Sequence, residues 1–422
     1  MSKTPVFAYV PSAYKDEKVY AQVPDTLTTL DVVRSSEAYR MTQEGQYLQT
    51  GNNEIRQHYP LSAEGDLLPC PVLFCEQQAT NENTYSIDYG SWTLTNLVIT
   101  ANDFNAPSLV EEADILEASA VNGEHKMTIN NGPTGGGNTI VSCWAHPGLK
   151  ETIKLEITKN GVDHYSFFNI RTGGFGDKLN IDSQGSQKYP NGWVRVWIKA
   201  DTDAGMNNFF PAIYVTDGLT AGSETWQGSG NESVYIWGVQ TEFSAIVKPS
   251  SFIKTNAVPL TRANETIETA SLGNLVNSTA GVFYVDVSFS QDSDSDASIS
   301  LSDGTASNRV FMARDAGTGD IHTTFTSGGV AQSTETISTS AKRTKIAISF
   351  QKNLCYHYLN GVEYREDLVV TPVNPFVLNE VGLHQGSALN RMDGYVHEIR
   401  VYNPTHYSSS ELQSFLKELT SD

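Results

Sequence analysis

The sequence has few basic residues, few charges overall and no long apolar run, and each shortage excludes a class of protein. No stretch approaches 18 consecutive apolar residues, so we expect no membrane-spanning helix. Lys and Arg number 28 against 48 Asp and Glu, which gives a formal charge of −20. This charge argues against a nucleic-acid partner and against docking on anionic lipid, because both need a basic surface.

Cysteine is also scarce. The four cysteines (Cys70, Cys75, Cys143 and Cys355) are too few and too scattered for a disulfide scaffold. Cys70 and Cys75 have C-x4-C spacing, but no second Cys or His pair lies nearby to complete a zinc site. We therefore expect free or structural thiols. The first 15 residues contain no apolar h-region, so we expect no secretory signal peptide.

The residues that are plentiful favour an all-β fold. The chain has 33 Gly, 19 Tyr and 17 Phe, and only 18 % of its residues are charged. Residues 89–256 contain eight short strand candidates, many separated by turn signals such as Asn160-Gly161 and Asn191-Gly192. This spacing predicts an antiparallel β-sandwich or jelly roll.

The rest of the chain divides into an arm, a linker and a second sandwich. Residues 1–88 contain recurrent prolines between short extended pieces, and they predict an extended N-terminal arm for attachment or oligomerisation. Residues 257–274 are interpreted as a linker. Residues 275–422 predict a second antiparallel sandwich that ends in a short helix, because Ser408 and Glu411 have capping-box spacing ahead of an apolar helical face.

Three groups of segments resemble proteins of tailed bacteriophages or laminin-G-like domains. Val234–Ser251 (VYIWGVQTEFSAIVKPSS), with Asn191-Gly192-Trp193 and Ser91–Ala101, resembles a carbohydrate-binding-like jelly roll of phage virion proteins. Pro11–Lys15 (PSAYK) and the segment that follows it resemble the opening of such proteins. Lys345–Tyr364 and Met392–Asn403 (MDGYVHEIRVYN) resemble concanavalin A-like, laminin-G-like domains.

The resemblance implies a bacteriophage virion structural protein, such as a head fibre, a decoration protein or a tail appendage. Such a protein is assembled in the host cytoplasm and located on the virion. Its partners would be other virion proteins and copies of itself, with a trimer favoured, and bacterial surface glycans. Avidity in such an oligomer could offset weak single sites.

Two tryptophans are the glycan-binding candidates, because an aromatic face suits the apolar C–H patches of a sugar ring. Trp226 lies in the Gly/Ser-rich segment 221–230, which reads as a loop, and Trp144 is the second candidate. Trp193 and Trp237 lie in strand motifs, so we expect them in the core.

Calcium is the only cofactor that the sequence suggests. Asp292, Asp294 and Asp296 form an acidic run whose oxygens suit Ca²⁺. The resemblance to laminin-G-like domains implies a calcium site at a sandwich edge. The run lacks the Gly and distal Glu of an EF-hand, so a solvated acidic loop is the alternative.

One carboxylate motif suggests an enzyme. Glu112, Asp114 and Glu117 have the E-x-D-x-x-E spacing of a glucanase strand, in which two carboxyl groups lie about 5 Å apart in retaining enzymes. Ala113 stands where a branched apolar residue is usual, and no aromatic-rich substrate strand follows. The leading hypothesis is therefore non-enzymatic, and a glycan depolymerase or a purely structural protein without glycan binding are the alternatives.

Overall fold

The computed structural model describes residues 4–15, 18–19, 30–129, 137–159, 161–201, 209–244, 246–290, 295–368, 370–371, 373–374, 377–387, 389–403 and 408–421. Over these residues the chain consists of antiparallel sheets with one short α-helix near its C-terminal end. The predicted all-β class, its sandwich architecture and the short helix are confirmed. Within the same residues, no helix is long and apolar enough to cross a membrane.

The described part of the first 88 residues contains nine short strands. They are β1 (Phe7–Tyr9), β2 (Tyr14–Lys15), β3 (Lys18–Val19), β4 (Asp31–Val33), β5 (Ala38–Met41), β6 (Tyr47–Thr50), β7 (Gln57–His58), β8 (Val72–Cys75) and β9 (Ala79–Asn81).

The middle of the chain contributes the strands of two further sheets. Its strands are β10 (Thr93–Thr95), β11 (Leu97–Asn105), β12 (Glu111–Ala118), β13 (Asn122–Thr128), β14 (Asn138–Pro147), β15 (Thr152–Lys159), β16 (Val162–Asn169), β17 (Gly174–Leu179), β18 (Ser183–Lys188), β19 (Val194–Asp201), β20 (Phe209–Val215), β21 (Thr225–Gln227) and β22 (Ser233–Phe243).

The remaining strands lead to the helix. They are β23 (Leu260–Arg262), β24 (Thr266–Glu268), β25 (Ala280–Phe289), β26 (Ala297–Ser302), β27 (Arg309–Arg314), β28 (Ile321–Ser327), β29 (Val330–Ile337), β30 (Thr344–Gln351), β31 (Leu354–Leu359), β32 (Val362–Asp367), β33 (Glu380–Gly382) and β34 (Gly394–Tyr402), followed by α1 (Ser409–Thr420).

Two sheets form the middle sandwich. One has the order β11-β12-β22-β14-β19-β18, and the other has the order β10-β13-β20-β15-β16-β17 with β21 paired to β13. Alternation along β15 explains the packing, because Ile153, Leu155 and Ile157 are buried in the core between the sheets. Trp193 and Trp237 are also buried, as predicted, in an aromatic cluster beside this sandwich.

The C-terminal sandwich includes strands from both ends of the chain. Its first sheet has the order β32-β31-β30-β25-β34-β8-β7, with β1 also paired to β34. Its second sheet has the order β29-β28-β27-β26-β33-β24-β4. Phe7 and Leu73 from the N-terminal segment are buried in the same core as Ile346 and Ile348. Strands β1, β4, β7 and β8 of the N-terminal segment therefore complete this sandwich instead of standing apart as an arm.

The segment 257–274 is not a free linker either, because its strands pair with strands from other parts of the chain. Its strand β23 pairs with β9, and β24 pairs with both β4 and β33. Backbone hydrogen bonds therefore connect this segment to the N-terminal strands and to the C-terminal sandwich.

The helix α1 begins with the capping box that the sequence predicts. The Ser408 hydroxyl accepts a hydrogen bond from the Glu411 backbone, and the Glu411 carboxylate accepts one from the Ser408 backbone. Leu412, Phe415 and Leu416 are buried against the tyrosines of the eight-stranded sheet.

Candidate functional site

A buried ionic network lies where the N-terminal segment meets the segment 257–274. The Glu265 carboxylate accepts hydrogen bonds from Arg34 at 2.5 Å and from Arg56 at 2.7 and 2.9 Å. Glu76 pairs with Arg56 and lies 3.5 Å from Arg262. Each of the five side chains is at most 9 % exposed. The network joins segments that are about two hundred residues apart.

The charges in this network stabilise one another against burial. Burial alone would raise the pKa of Glu76, but Arg262, Arg56 and hydrogen bonds from Ser251 outweigh it and hold that pKa at about 2. Burial lowers the pKa of Arg56, and the carboxylates of Glu265 and Glu76 more than compensate, so its pKa is raised. Glu76 and Arg56 therefore stay ionised at neutral pH.

A cleft with two lobes lies at this junction, and we call it the junction cleft. The wide lobe has a volume of about 760 Å³, and the aromatic lobe has a volume of about 480 Å³. The residues that line both lobes are Phe74, Glu76, Lys248, Pro249 and Tyr395. The cleft therefore receives residues from the N-terminal segment, the middle sandwich and the C-terminal sandwich.

Ring systems from all three parts surround the aromatic lobe. The His58 ring stacks on Tyr395 with centroids 5.6 Å apart, and Phe74 lies 4.8 Å from His58. Phe175 lines the lobe with 47 % of its side chain exposed, and Trp197 lies opposite on β19. This lining offers apolar ring surface of the kind that binds small molecules.

Gly185 explains how the Trp197 ring reaches this position. The two residues are paired across β18 and β19. A Cβ at position 185 would lie 2.1 Å from Cζ2 of the Trp197 indole, so only glycine leaves room for the ring. The indole N–H is satisfied by the Val247 carbonyl at 3.2 Å.

Polar groups converge on the same lobe. Gln187 lines the lobe, and its side-chain amide donates to the Ser62 carbonyl. Arg195 stacks on Trp144 with its guanidinium carbon 4.0 Å from the ring centroid. The Nδ1 atom of His58 accepts from the Met41 backbone N–H, and burial together with Arg56 lowers the pKa of His58 to about 3. His58 is therefore neutral at physiological pH, and Arg195 and Lys248 are the cations of the lobe.

The wide lobe has a different charge pattern. Glu82, Glu242 and Asp393 line it together with Lys248 and Lys342. Burial raises the pKa of Glu82. Glu242 accepts hydrogen bonds from the Ser250 backbone at 3.0 Å and from the Ser250 hydroxyl at 2.5 Å. This lobe therefore holds most of the carboxylates of the cleft.

The structure corrects the sequence-based choice of Trp226 and Trp144 as sugar platforms. Trp226 lies in the short strand β21, is 7 % exposed and packs against His125 in the core. Trp144 is fully buried between Tyr47, Trp237 and Arg195. A stacking tryptophan needs an open ring face, and neither residue offers one.

Only one of the three predicted calcium ligands lies in the described part of the chain. Asp292 and Asp294 lie outside the described residues. One oxygen of Asp296 accepts from the Ala316 backbone N–H at 3.0 Å, and the other lies 3.4 Å from the Asn390 amide. These contacts fit an anchor for neighbouring turns, and the calcium site stays a prediction.

Two carboxylates of the E-x-D-x-x-E motif, those of Asp114 and Glu117, do not converge. Asp114 and Glu117 lie three residues apart on β12, in a stretch whose pairing with β22 has no register shift, so they face opposite sides of the sheet. Glu117 is exposed, whereas Asp114 is buried and accepts from the Asn102 backbone N–H. Burial raises the pKa of Asp114 to about 6. The pair cannot flank one sugar bond from these positions.

Glu268, Glu380 and His384 form one group whose spacing is compatible with a metal ion. Their ligand atoms lie within 4.8 Å of one another. However, Nδ1 of His384 accepts from the Gly386 backbone N–H at 3.1 Å, so the neutral ring carries its proton on Nε2, which faces Glu268 at 3.1 Å. A metal on Nε2 would need that proton on Nδ1, and the present hydrogen bonds do not fit this.

All four cysteines are free thiols in the structure. Cys70 is exposed, and the other three are buried. Burial raises the pKa of Cys143 and of Cys355 to about 12, which keeps both as neutral thiols.

Comparisons with known proteins identify no family. No protein-family model matches the chain, and no curated protein matches its sequence.

Three solved structures share a limited likeness with the chain. Domains LG4-5 of the mouse laminin alpha1 chain are 11 % identical, with 71 % of this chain and 92 % of that chain covered and a TM-score of 0.26. The CBM22-1-CBM22-2 tandem domain of Paenibacillus barcinonensis Xyn10C is 7 % identical, with 78 % and 99 % covered and a TM-score of 0.25. A bifunctional GH43-CE protein of Bacteroides eggerthii is 9 % identical, with 88 % and 48 % covered and a TM-score of 0.22. Such low sequence identities and TM-scores do not support an inference about function.

Proposed function

We propose that this protein is a non-enzymatic glycan-binding protein and that its sugar site is the aromatic lobe of the junction cleft. The observation that carries this proposal is the lobe itself. It combines about 480 Å³ of space with the rings of Phe175 and Tyr395 and with the polar side chains of Arg195 and Gln187. Apolar sugar faces stack on such rings, and a few fixed polar groups orient the hydroxyls.

The experiment is a glycan array with the full chain and two matched variants. Phe175 and Leu179 lie on the same exposed edge strand, β17, and have similar exposures of 47 % and 43 %, but only Phe175 lines the lobe. We expect Phe175→Ala to weaken glycan binding at least several-fold and Leu179→Ala to leave it unchanged. Equal loss in both variants, or in neither, would contradict the assignment of the lobe.

The absence of turnover is part of the same proposal. Asp114 and Glu117 face opposite sides of β12, which disfavours a glycan depolymerase that uses this motif. We expect no release of reducing ends from any bound polysaccharide. If the unaltered chain releases reducing ends and Glu112→Gln does not, the result would favour the depolymerase instead.

We further propose that the protein is a bacteriophage virion component that binds other virion proteins and copies of itself as a homo-oligomer. The virion-like motifs at Val234–Ser251 and Pro11–Lys15 support this location. Immunogold labelling of intact particles tests it, and label on neither head nor tail would contradict it.

A purely structural role without glycan binding is the second candidate. The observation in its favour is that Trp226 and Trp144, the two tryptophans that the sequence suggests for sugar binding, are both buried. This role would be supported if the chain bound no glycan on the array and the immunogold label was found on intact phage particles.

Calcium binding at Asp292, Asp294 and Asp296 also remains a proposal. The test is thermal unfolding with calcium and with a chelator. Calcium should raise the midpoint of unfolding, and Asp296→Asn should abolish the rise.

A further inference from the structure

We infer that the sugar held in the aromatic lobe is an acidic one, whose carboxylate lies near Arg195 and Lys248. This inference rests on the proposed glycan-binding function and adds the chemical class of the ligand. The observation that supports it is the set of charged side chains that line the aromatic lobe. This set differs from the charged side chains of the wide lobe and from the acidic composition of the whole chain.

Arg195 is the first part of the argument. The side chain is only 5 % exposed, and among the described residues no carboxylate pairs with it. Its two terminal nitrogens donate to the Ser250 carbonyl at 2.7 Å and to the Ser142 hydroxyl at 3.0 Å, and both acceptors are neutral. Its Nε–H is buried and has no hydrogen-bond partner within the described chain. A buried guanidinium with only neutral partners leaves a positive charge that an anion would stabilise.

The carboxylate of the lobe does not balance this charge. Glu76 is the acidic residue that lines the aromatic lobe, and it already pairs with Arg56 and lies 3.5 Å from Arg262. Both of its oxygens also accept hydrogen bonds from Ser251, at 2.7 and 2.5 Å. Glu76 is therefore already paired with other arginines and does not neutralise Arg195. Lys248 lies at the rim of the same lobe.

The surroundings sharpen the contrast. The chain carries a formal charge of −20, so a buried arginine whose hydrogen-bond acceptors are all neutral contrasts with the acidic character of the whole chain. The wide lobe carries Glu82, Glu242 and Asp393 beside Lys248 and Lys342, so it is less favourable to an anion than the aromatic lobe. An acidic sugar is thus expected to place its carboxylate toward Arg195 and its ring against the aromatic residues. Local fields of this kind select ligands by charge.

The test uses matched pairs of sugars with the full chain. Oligosaccharides of galacturonate, glucuronate and N-acetylneuraminate are titrated by calorimetry beside their methyl esters, which keep the sugar skeleton and remove the charge. A charge-assisted hydrogen bond predicts that an acid binds roughly tenfold or more tightly than its ester. We also expect this preference to shrink as salt is raised.

The outcomes separate this inference from the proposed function. Esters that bind as tightly as the acids would overturn the inference and leave glycan binding intact. Binding of neither member, together with a blank array of neutral glycans, would overturn the proposed function and the inference with it.

Two lysine variants test where the carboxylate of the sugar binds. Lys248→Gln should reduce the preference for the acid, whereas Lys352→Gln, which removes the same charge from an exposed turn after β30, should keep it. An undiminished preference in Lys248→Gln would overturn the placement in this lobe. Because Lys248 is exposed, its replacement is not expected to prevent folding.

Discussion

Replacement of Glu265 by glutamine is the sharpest test of how the segments of this protein are held together. Glu265 accepts three hydrogen bonds from Arg34 and Arg56 at 2.5–2.9 Å, and its side chain is 2 % exposed. Glutamine keeps the shape but removes the charge, so two buried guanidinium groups lose their shared counter-ion. Breaking a buried ion pair in this way costs about 3–5 kcal/mol. We therefore expect the free energy of unfolding of Glu265→Gln to fall by about that amount.

Denaturant titration followed by tryptophan fluorescence and circular dichroism measures this loss. The matched control is Glu37→Gln, because Glu37 is exposed in the same N-terminal segment and should change the free energy of unfolding by roughly 0.5 kcal/mol or less. A loss in Glu265→Gln of less than about 1 kcal/mol would refute the view that the network holds the junction together.

Three further predictions concern pH, helix capping and core packing. Burial lowers the pKa of His357 to about 4, so its stabilising effect is complete above pH 6.5 and is lost as pH falls toward 4. Denaturant titrations at pH 7 and pH 4 should show that the free energy of unfolding falls by about 3 kcal/mol less in His357→Gln than in the unaltered chain, and an equal fall in both proteins would be contrary evidence. Ser408→Ala removes the capping box of α1 and should lower the free energy of unfolding by about 0.5–2 kcal/mol, whereas the exposed Ser410→Ala should not. Gly281→Ala would place a Cβ 2.3 Å from the Phe350 ring, so thermal melting should show a destabilised protein, and an unchanged melting temperature would contradict the packing.

Local features of the fold could be predicted from the sequence. Ile346, Ile348 and Phe350 alternate with polar residues, and the structure buries all three in one core. Asn360 and Gly361 both have positive φ, at 48° and 79°, and they make the tight turn between β31 and β32 that the Asn-Gly pair predicts. These features depend on neighbouring residues only.

The junction and its cleft could not be predicted, because their contacts join distant parts of the chain. Strand β1 pairs with β34 from the other end of the sequence, and no local pattern marks either strand as the partner of the other. The aromatic lobe unites His58, Phe175, Arg195 and Tyr395, and no local pattern indicates that these four residues meet. The error at Trp226 has a related cause, since the three-residue strand β21 is too short to show alternation within a Gly/Ser-rich stretch.

The most direct test of the central claim is a crystal structure of the full chain with the tightest glycan from the array. The account predicts electron density for a sugar ring against Phe175 and Tyr395, with its carboxylate within hydrogen-bond distance of Arg195 or Lys248. A sugar bound outside the junction cleft would contradict the account.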